Sequence, residues 1–421
     1  MTSTVRDRSR DTESPAACVR AAGDHVPVLS ADEAVRIAHE LGEWLAEGSA
    51  RRDAERVLPE EELDRLSGSG LLAITVPTPY GGPGLSTATV AEVFRLLAAG
   101  DPSVAQIPHS HFVYVNALRH QATAAQQEFF FDQVRRGKRF GNAQSEIGSK
   151  HARDYRTRLT PHGDRWVLNG EKSYSTGALF ADWIPVLAHL DSSEPGQGPL
   201  HVAWIERTAA GVTVVDDWNG MGQRTTASGT VRLEDVEVDA SRITPYHRTF
   251  ESGPQTYGSF AQVLHAALDA GIARAALTEA ARFVTTKSRP YADAQVDRHA
   301  DDPLVVHAFG EMELEVRAAE ALVGEAARAV DRADAELTAE NAGEASLAVA
   351  AARAATTDAS VHVSSRLFEV AGTRSALDSL NLHRHWRNAR THTLHDPAAW
   401  KVQHLGGWAL EGRLPPNHGQ I

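Results

Sequence analysis

Two imidazoles near the end of the chain, His392 and His395, stand in the run RTHTLHDP just ahead of Asp396-Pro397. Asp-Pro is the pattern of an N-cap followed by the first residue of a helix, so His395 is predicted just outside a helix start, where its ring can face a cavity. With His383 and His385 upstream, four histidines suggest zinc. Their spacing matches no standard site, and neither paired cysteines nor a His-Glu-x-x-His helix accompanies them, so no metal is expected. A second pair, His109 and His111, alternates in the otherwise apolar PHSHFVYV. One reading is a surface histidine beside a satisfied core histidine; the other is an imidazole turned to a pocket. The run GNAQSEIGSKHARD offers Asn142, Gln144, Ser145 and Ser149 as hydrogen-bonding partners for a planar heterocycle, or is simply a polar loop. In YSTGA, Tyr174 and Thr176 share one face if the strand continues to the glycine. Arg289, Arg374, Arg387 and Arg390 lie near turns and have the fork that binds phosphate bidentately, although any one alone reads as an ordinary surface charge.

These residues must be positioned by 421 residues of chain, too many for one small core. Residues 1–28 are polar, lack the apolar stretch of a secretory signal and read as a disordered arm. Residues 29–138 carry helical periodicity, opening on SADE, where Ser30 and Glu33 have capping-box spacing. Residues 139–247 change to strand-like runs, with a hairpin expected to turn at Asn169-Gly170, and read as a compact antiparallel β domain. Residues 248–421 are alanine-rich, with three long helices and a fourth after Pro397, a four-helix bundle. The fold class is therefore α+β. A net charge of −13 argues against nucleic acid as a partner. No run approaches the roughly 18 apolar residues of a membrane span, and the single cysteine, Cys18, suits a reducing compartment. A cytoplasmic protein is expected.

The chain shows no Walker loop, no Gly-x-Ser-x-Gly elbow and no Gly-x-Gly-x-x-Gly after a first strand. From its residues alone it is a soluble protein that binds a cofactor or ligand. The segments FGNAQSE, LNGEKSYSTGA, DDWNGMGQRTTASG, RSRP, LFEVAGTR and WRNARTHTLHDP go further. Over about residues 30–415 the chain resembles the acyl-CoA dehydrogenase fold, and within it the flavin-dependent monooxygenase branch typified by dibenzothiophene monooxygenase. GQRTTASGTV and FAQVLHAALDAGIARAAL are most similar to the sulfur-acquisition oxidoreductases of that branch.

The resemblance implies a two-component enzyme acting through a flavin C4a-hydroperoxide on a small organosulfur compound, with O2 as co-substrate. Reduced FMN, with FAD as the alternative, would come from a separate NAD(P)H-dependent flavin reductase. It implies His395, His111, Thr176 and Asn142 as catalytic residues, Thr176 standing where the family has serine. Asn142, Gln144, Ser145, Tyr174, Thr176, Trp218, Arg289, Arg374 and His395 are then expected around the flavin. It also implies a homotetramer, or at least a dimer, with the flavin phosphate site borrowing residues from a neighbouring subunit. The dehydrogenases carry a catalytic glutamate near the end of the bundle, and RTHTLHDP has none. An acyl-CoA dehydrogenase with a relocated base, Glu369 being one position for it, is the alternative; a non-enzymatic flavin-binding relative is a third.

Overall fold

The first helix begins where its caps require. The Ser30 hydroxyl accepts the Glu33 amide while the Glu33 carboxylate accepts the Ser30 amide, and α1 follows over Ala31–Glu55. Helices α2 (Glu60–Gly68), α3 (Thr87–Gly100), α4 (Pro102–Gln106), α5 (His109–Gln121) and α6 (Ala124–Arg135) complete the N-terminal part. The computed structural model describes residues 25–148, 154–191 and 198–420. Most of the expected arm, and Ser149, lie outside them. Its last residues are not free: Val26 is buried, its amide donates to the Arg135 carbonyl at 2.7 Å, and His25 bonds Asp132. Buried Val26 ties the chain down before residue 28.

The β part is one seven-stranded sheet. Its strands are β1 (Arg158–His162), β2 (Arg165–Lys172), β3 (Trp183–Leu190), β4 (Leu200–Glu206), β5 (Val212–Val215), β6 (Thr230–Val238) and β7 (Ile243–Thr244), in the order β5-β6-β2-β1-β3-β4-β7. The expected all-antiparallel domain is corrected to a mixed sheet, because β3 runs parallel to β1. The cause is topological. The β1–β2 hairpin returns the chain to the end where β1 started, and a short loop over residues 173–182 launches β3 from there, beside β1. The hairpin turns at Gly163-Asp164, not at Asn169-Gly170. Asn169-Gly170 instead forms a bulge, where the register to β6 shifts between Leu168 and Gly170. A Cβ on Gly170 would collide with Thr157, so glycine there serves close packing rather than a turn.

After α7 (Arg248–Glu251) come the long helices α8 (Tyr257–Thr286), α9 (Pro303–Ala335) and α10 (Ala339–Ala371), then α11 (Arg384–His392) and α12 (Ala398–Glu411). The three long helices pack together, with α3 laid across α8 and α9, and one apolar core joins α1, α3, α8, α9 and α10. Every residue of α8 from Tyr257 to Ala273 is buried, as expected of a helix enclosed on all sides. Helix α12 lies along α10 and leaves Trp400, Val402, Trp408 and Leu410 exposed. No described helix is long and apolar enough to cross a membrane.

Candidate active site

A cavity of about 920 Å³ opens where the helical N-terminal part, the β sheet and the bundle meet. Asn142, Gln144, Ser145, Tyr174, Thr176, Trp218 and His395 all line it. Three expected residues do not. Arg289 and Arg374 are exposed and lie away from it. His111 is a core residue, 1% exposed: its Nε2 donates to the Leu72 carbonyl at 2.9 Å and its Nδ1 accepts the Phe140 amide at 3.1 Å. With both nitrogens bonded and burial pushing its pKa down to about 4, it is a neutral structural imidazole. His109 lines the cavity instead. The segment is helical, and residues two apart on a helix point about 200° apart, so only one of the pair can face the site.

The β-domain contribution rests on loops. Strand β2 ends at Lys172, so Tyr174 and Thr176 are not on a strand. Tyr174 sits in the left-handed region at φ 55°, and this turn is what brings both side chains to the cavity. Buried Lys172 holds the neighbouring polar loop by bonding Glu146 at 2.7 Å and the Gln144 carbonyl at 3.1 Å. The Thr176 hydroxyl begins a directed chain. Thr226 donates to the Gln223 carbonyl at 3.0 Å, so Ser228 must donate to Thr226 and Thr176 to Ser228, both at 2.7 Å. Thr176 therefore offers the cavity an acceptor, which suits an N–H on a ligand. Trp218 donates to the same Gln223 carbonyl at 2.7 Å. Helix α11 clamps this loop: Asn388 accepts the Gln223 amide at 2.7 Å and Thr391 accepts the Gly222 amide at 3.0 Å.

Several buried polar atoms at the cavity have no partner among the described residues: Asn142 Oδ1, both side-chain polar atoms of Gln223, and Gln262 Oε1. Buried amides are rarely left unpaired, so these mark where a polar ligand bonds. Three acceptors and one donor, with the Tyr174 and Trp218 rings beside the same cavity, suit the polar edge of a heterocyclic ring.

The bundle supplies the charged wall. Arg353, 1% exposed, bonds Asp269 at 2.6 Å and Asp396 at 2.9 Å, and Lys401 meets Asp396 at 2.8 Å. Asp396 thus serves ion pairs and does not cap α12, which begins after Pro397. Burial alone would raise the Asp396 pKa, but the two cations hold it at about 2. His395 is solvent-accessible, its ring open to the cavity, and neither ring nitrogen has a hydrogen-bond partner among the described residues. Desolvation, with Arg353, Lys401 and His392 adding to it, lowers its pKa to about 4. His109 is lowered to about 3 for the same first reason, and its Nε2 donates to the Ala261 carbonyl at 2.9 Å. The other two clustered histidines go elsewhere, His383 to Asp378 and His385 to Glu279. Sequence reasoning left open which of His109 and His111 faces the site, and missed Ser228, Gln223, His265 and Asp269. A signal for the last two was present: a histidine and an aspartate four residues apart on an alanine-rich helix share one face. Glu369 is exposed, pairs with Arg366 and does not line the cavity. Asp396 is the one acidic residue that does, among the described residues.

Profiles described as the N-terminal, middle and C-terminal domains of acyl-CoA dehydrogenase match residues 33–138, 140–236 and 263–399. The chain is 33% identical over 397 residues to dibenzothiophene monooxygenase of Rhodococcus erythropolis, covering 91% of this chain and 94% of that protein. It is 33% identical over 393 residues to a protein of Pseudomonas putida named probable FMNH2-dependent monooxygenase SfnC, covering 91% and 96%. Among solved structures, TdsC from Paenibacillus sp. A11-2 in complex with FMN and indole aligns with a TM-score of 0.87 at 31% identity, covering 92% and 99%.

Proposed function

The chain belongs to the acyl-CoA dehydrogenase family, on its flavin-dependent monooxygenase branch, and from that premise we propose that it uses reduced FMN and O2 to oxygenate a small organosulfur compound. One observation carries the reading: where a dehydrogenase needs a free carboxylate, this cavity has His395 with both nitrogens available, and its only acidic side chain among the described residues is locked between Arg353 and Lys401. Without such a base, α-proton abstraction from an acyl thioester has no agent, and the exposed Glu369 cannot replace it.

Reduced FMN, when bound, supplies the electrons that activate O2. The chain supplies the rest. Asn142, Gln144, Ser145 and the Gln223 amide offer bonds to a flavin edge, Thr176 accepts one N–H, and Tyr174 with Trp218 walls one side. His395, neutral near pH 7, handles a proton at the cavity. Tyr155, Tyr246, Phe250 and Tyr257 give an apolar wall for substrate and keep bulk water out. The exposed Arg289 and Arg374 fit a phosphate site shared with another copy of the chain, and the uncovered Trp400, Trp408 and Leu410 of α12 fit a subunit contact. We propose with it a homotetramer, or at least a dimer, in a cytoplasmic setting, supplied by a separate NAD(P)H-dependent flavin reductase.

The test supplies the purified chain with reduced FMN, ¹⁸O2 and a panel of aryl and alkyl sulfides, sulfones and sulfinates. One ¹⁸O atom should appear in product, and only when a reductase or pre-reduced flavin is present. Oxygen-free turnover of an acyl-CoA, or NADH oxidation by the chain alone, would overturn the assignment.

A further inference from the structure

The reaction as described leaves the buried histidine of α8 without a task. His265 Nδ1 lies 3.0 Å from His392 Nε2, and His392 Nδ1 lies 2.5 Å from Asp269 Oδ1. All three are buried, at 1%, 4% and 0% exposure for His265, His392 and Asp269, yet both histidines line the cavity. A carboxylate only accepts, so His392 carries a proton on Nδ1 and presents Nε2 to His265. Between the rings, either His265 Nδ1–H donates to a bare His392 Nε2, or His392, protonated on both nitrogens, donates to a bare His265 Nδ1. The two states differ by one proton, and in both His265 is neutral.

We propose that His265 transfers protons at the cavity, with His392 as the second member of a relay and Asp269 as its positioning residue. The role in turnover rests on the oxygenase reading; the relay itself does not. A proton from the cavity binds His265 Nε2, the Nδ1 proton of His265 passes to His392 Nε2, and the imidazolium so formed lies against Asp269. One N–H bond forms at His265 Nε2, one breaks at its Nδ1, and one forms at His392 Nε2; the reverse returns the proton. Oxygenation leaves one atom of O2 as water, and a group that gives and retrieves a proton at the cavity serves that step. Two rings in series accomplish what one cannot, because burial strongly disfavours charge on His265 itself.

The surroundings fix the geometry. Arg353 holds the second oxygen of Asp269 and is itself held by Asp396, which Lys401 braces, so the carboxylate cannot swing away from His392. His109 stacks on the His265 ring at 3.9 Å, and His395 approaches it at 4.1 Å. Of the groups facing the relay, Asp269 and Asp396 favour the added proton, while Arg353, Lys401 and the His109 and His395 rings disfavour it.

Solid-state ¹⁵N spectra of the flavin-free, histidine-labelled full chain test this across pH. At neutral pH, His265 should be the Nδ1–H tautomer. On acidification one transition should move it to Nε2–H and charge His392 at the same midpoint. Separate midpoints, or charge appearing on His265, would overturn the relay. Asp269→Asn, which removes the carboxylate facing that imidazolium, should lower that midpoint. Should that variant fail to fold, His265→Gln, which leaves the Arg353 ion pairs intact, decides: a folded H265Q should turn over about 10²–10⁴-fold more slowly, and normal turnover in it refutes the role. A coupled transition in a chain that inserts no oxygen would sink the oxygenase reading and leave the relay standing.

Discussion

Replacing His395 and His392 separately by alanine should give different phenotypes, although the two lie three residues apart in sequence. The His395 ring makes no side-chain hydrogen bond among the described residues and faces the open cavity. Its truncation orphans no buried partner and leaves no sealed void, so stability should change by no more than about 0.5 kcal/mol, as at a surface position. Turnover should fall about 10²–10⁴-fold, the usual cost of losing one acid–base group, with FMN affinity nearly unchanged. His392→Ala instead strips buried Asp269 of one donor and buried His265 of its one side-chain hydrogen-bond partner among the described residues. Each orphaned group costs about 1–3 kcal/mol, so roughly 2–6 kcal/mol of stability should go with the activity. In the fold His392 braces α8. Urea denaturation and single-turnover oxygenation with pre-reduced FMN separate the two. Wild-type turnover by His395→Ala, or destabilisation of that variant to the level of His392→Ala, would refute the argument.

Acid should destabilise the fold: the pKa values of His109 and His111 lie at about 3 and about 4, below the ordinary value of about 6.5, so the unfolded chain binds more protons between those limits. Stability is therefore intact above about pH 6.5 and falls as pH drops toward the folded values; His111 alone should remove about 2 kcal/mol by about pH 5, and equal urea midpoints at pH 5 and 7.5 would contradict this. Arg353→Met leaves two buried carboxylates, Asp269 and Asp396, without their shared cation and should cost about 3–5 kcal/mol, read by the same denaturation. Gly222→Ala drives a Cβ into the Arg387 carbonyl and should lift the 218–228 loop from α11, weakening FMN binding in calorimetry far more than it lowers the melting temperature. Light scattering should show a tetramer or dimer, and a monomer that binds flavin and turns over would count against the shared phosphate site.

Much of the architecture was legible because it rests on local rules. The capping box at Ser30 and Glu33, the three long alanine-rich helices, the apolar runs of β3 and β4 and the alternation of β6 each announce themselves within a few residues. The misses share one cause, a partner distant in sequence. Asn169-Gly170 has the composition of a turn, but pairing with β6 and the nearness of Thr157 make it a bulge. Asp396 has the position of an N-cap, but Arg353, 43 residues away, takes its carboxylate. His111 carries the resemblance to a pocket histidine, yet the helix that contains it turns His109 inward instead.

The same reasoning shows how a polar residue in an apolar helix should be read. His265 and Asp269 interrupt a stretch of α8 that is buried on every side. A buried carboxylate without a counter-charge is too costly to persist, so its presence requires a cation and donors from elsewhere in the chain. The fold provides Arg353 from α10 and His392 from α11, and neither could be identified from the sequence of α8 alone. What that sequence does contain is the demand for them. A pair such as His265 and Asp269, one helical turn apart on an otherwise apolar helix, predicts a converging charged partner and an aromatic donor before either is located. In this chain that prediction leads directly to the wall of the cavity.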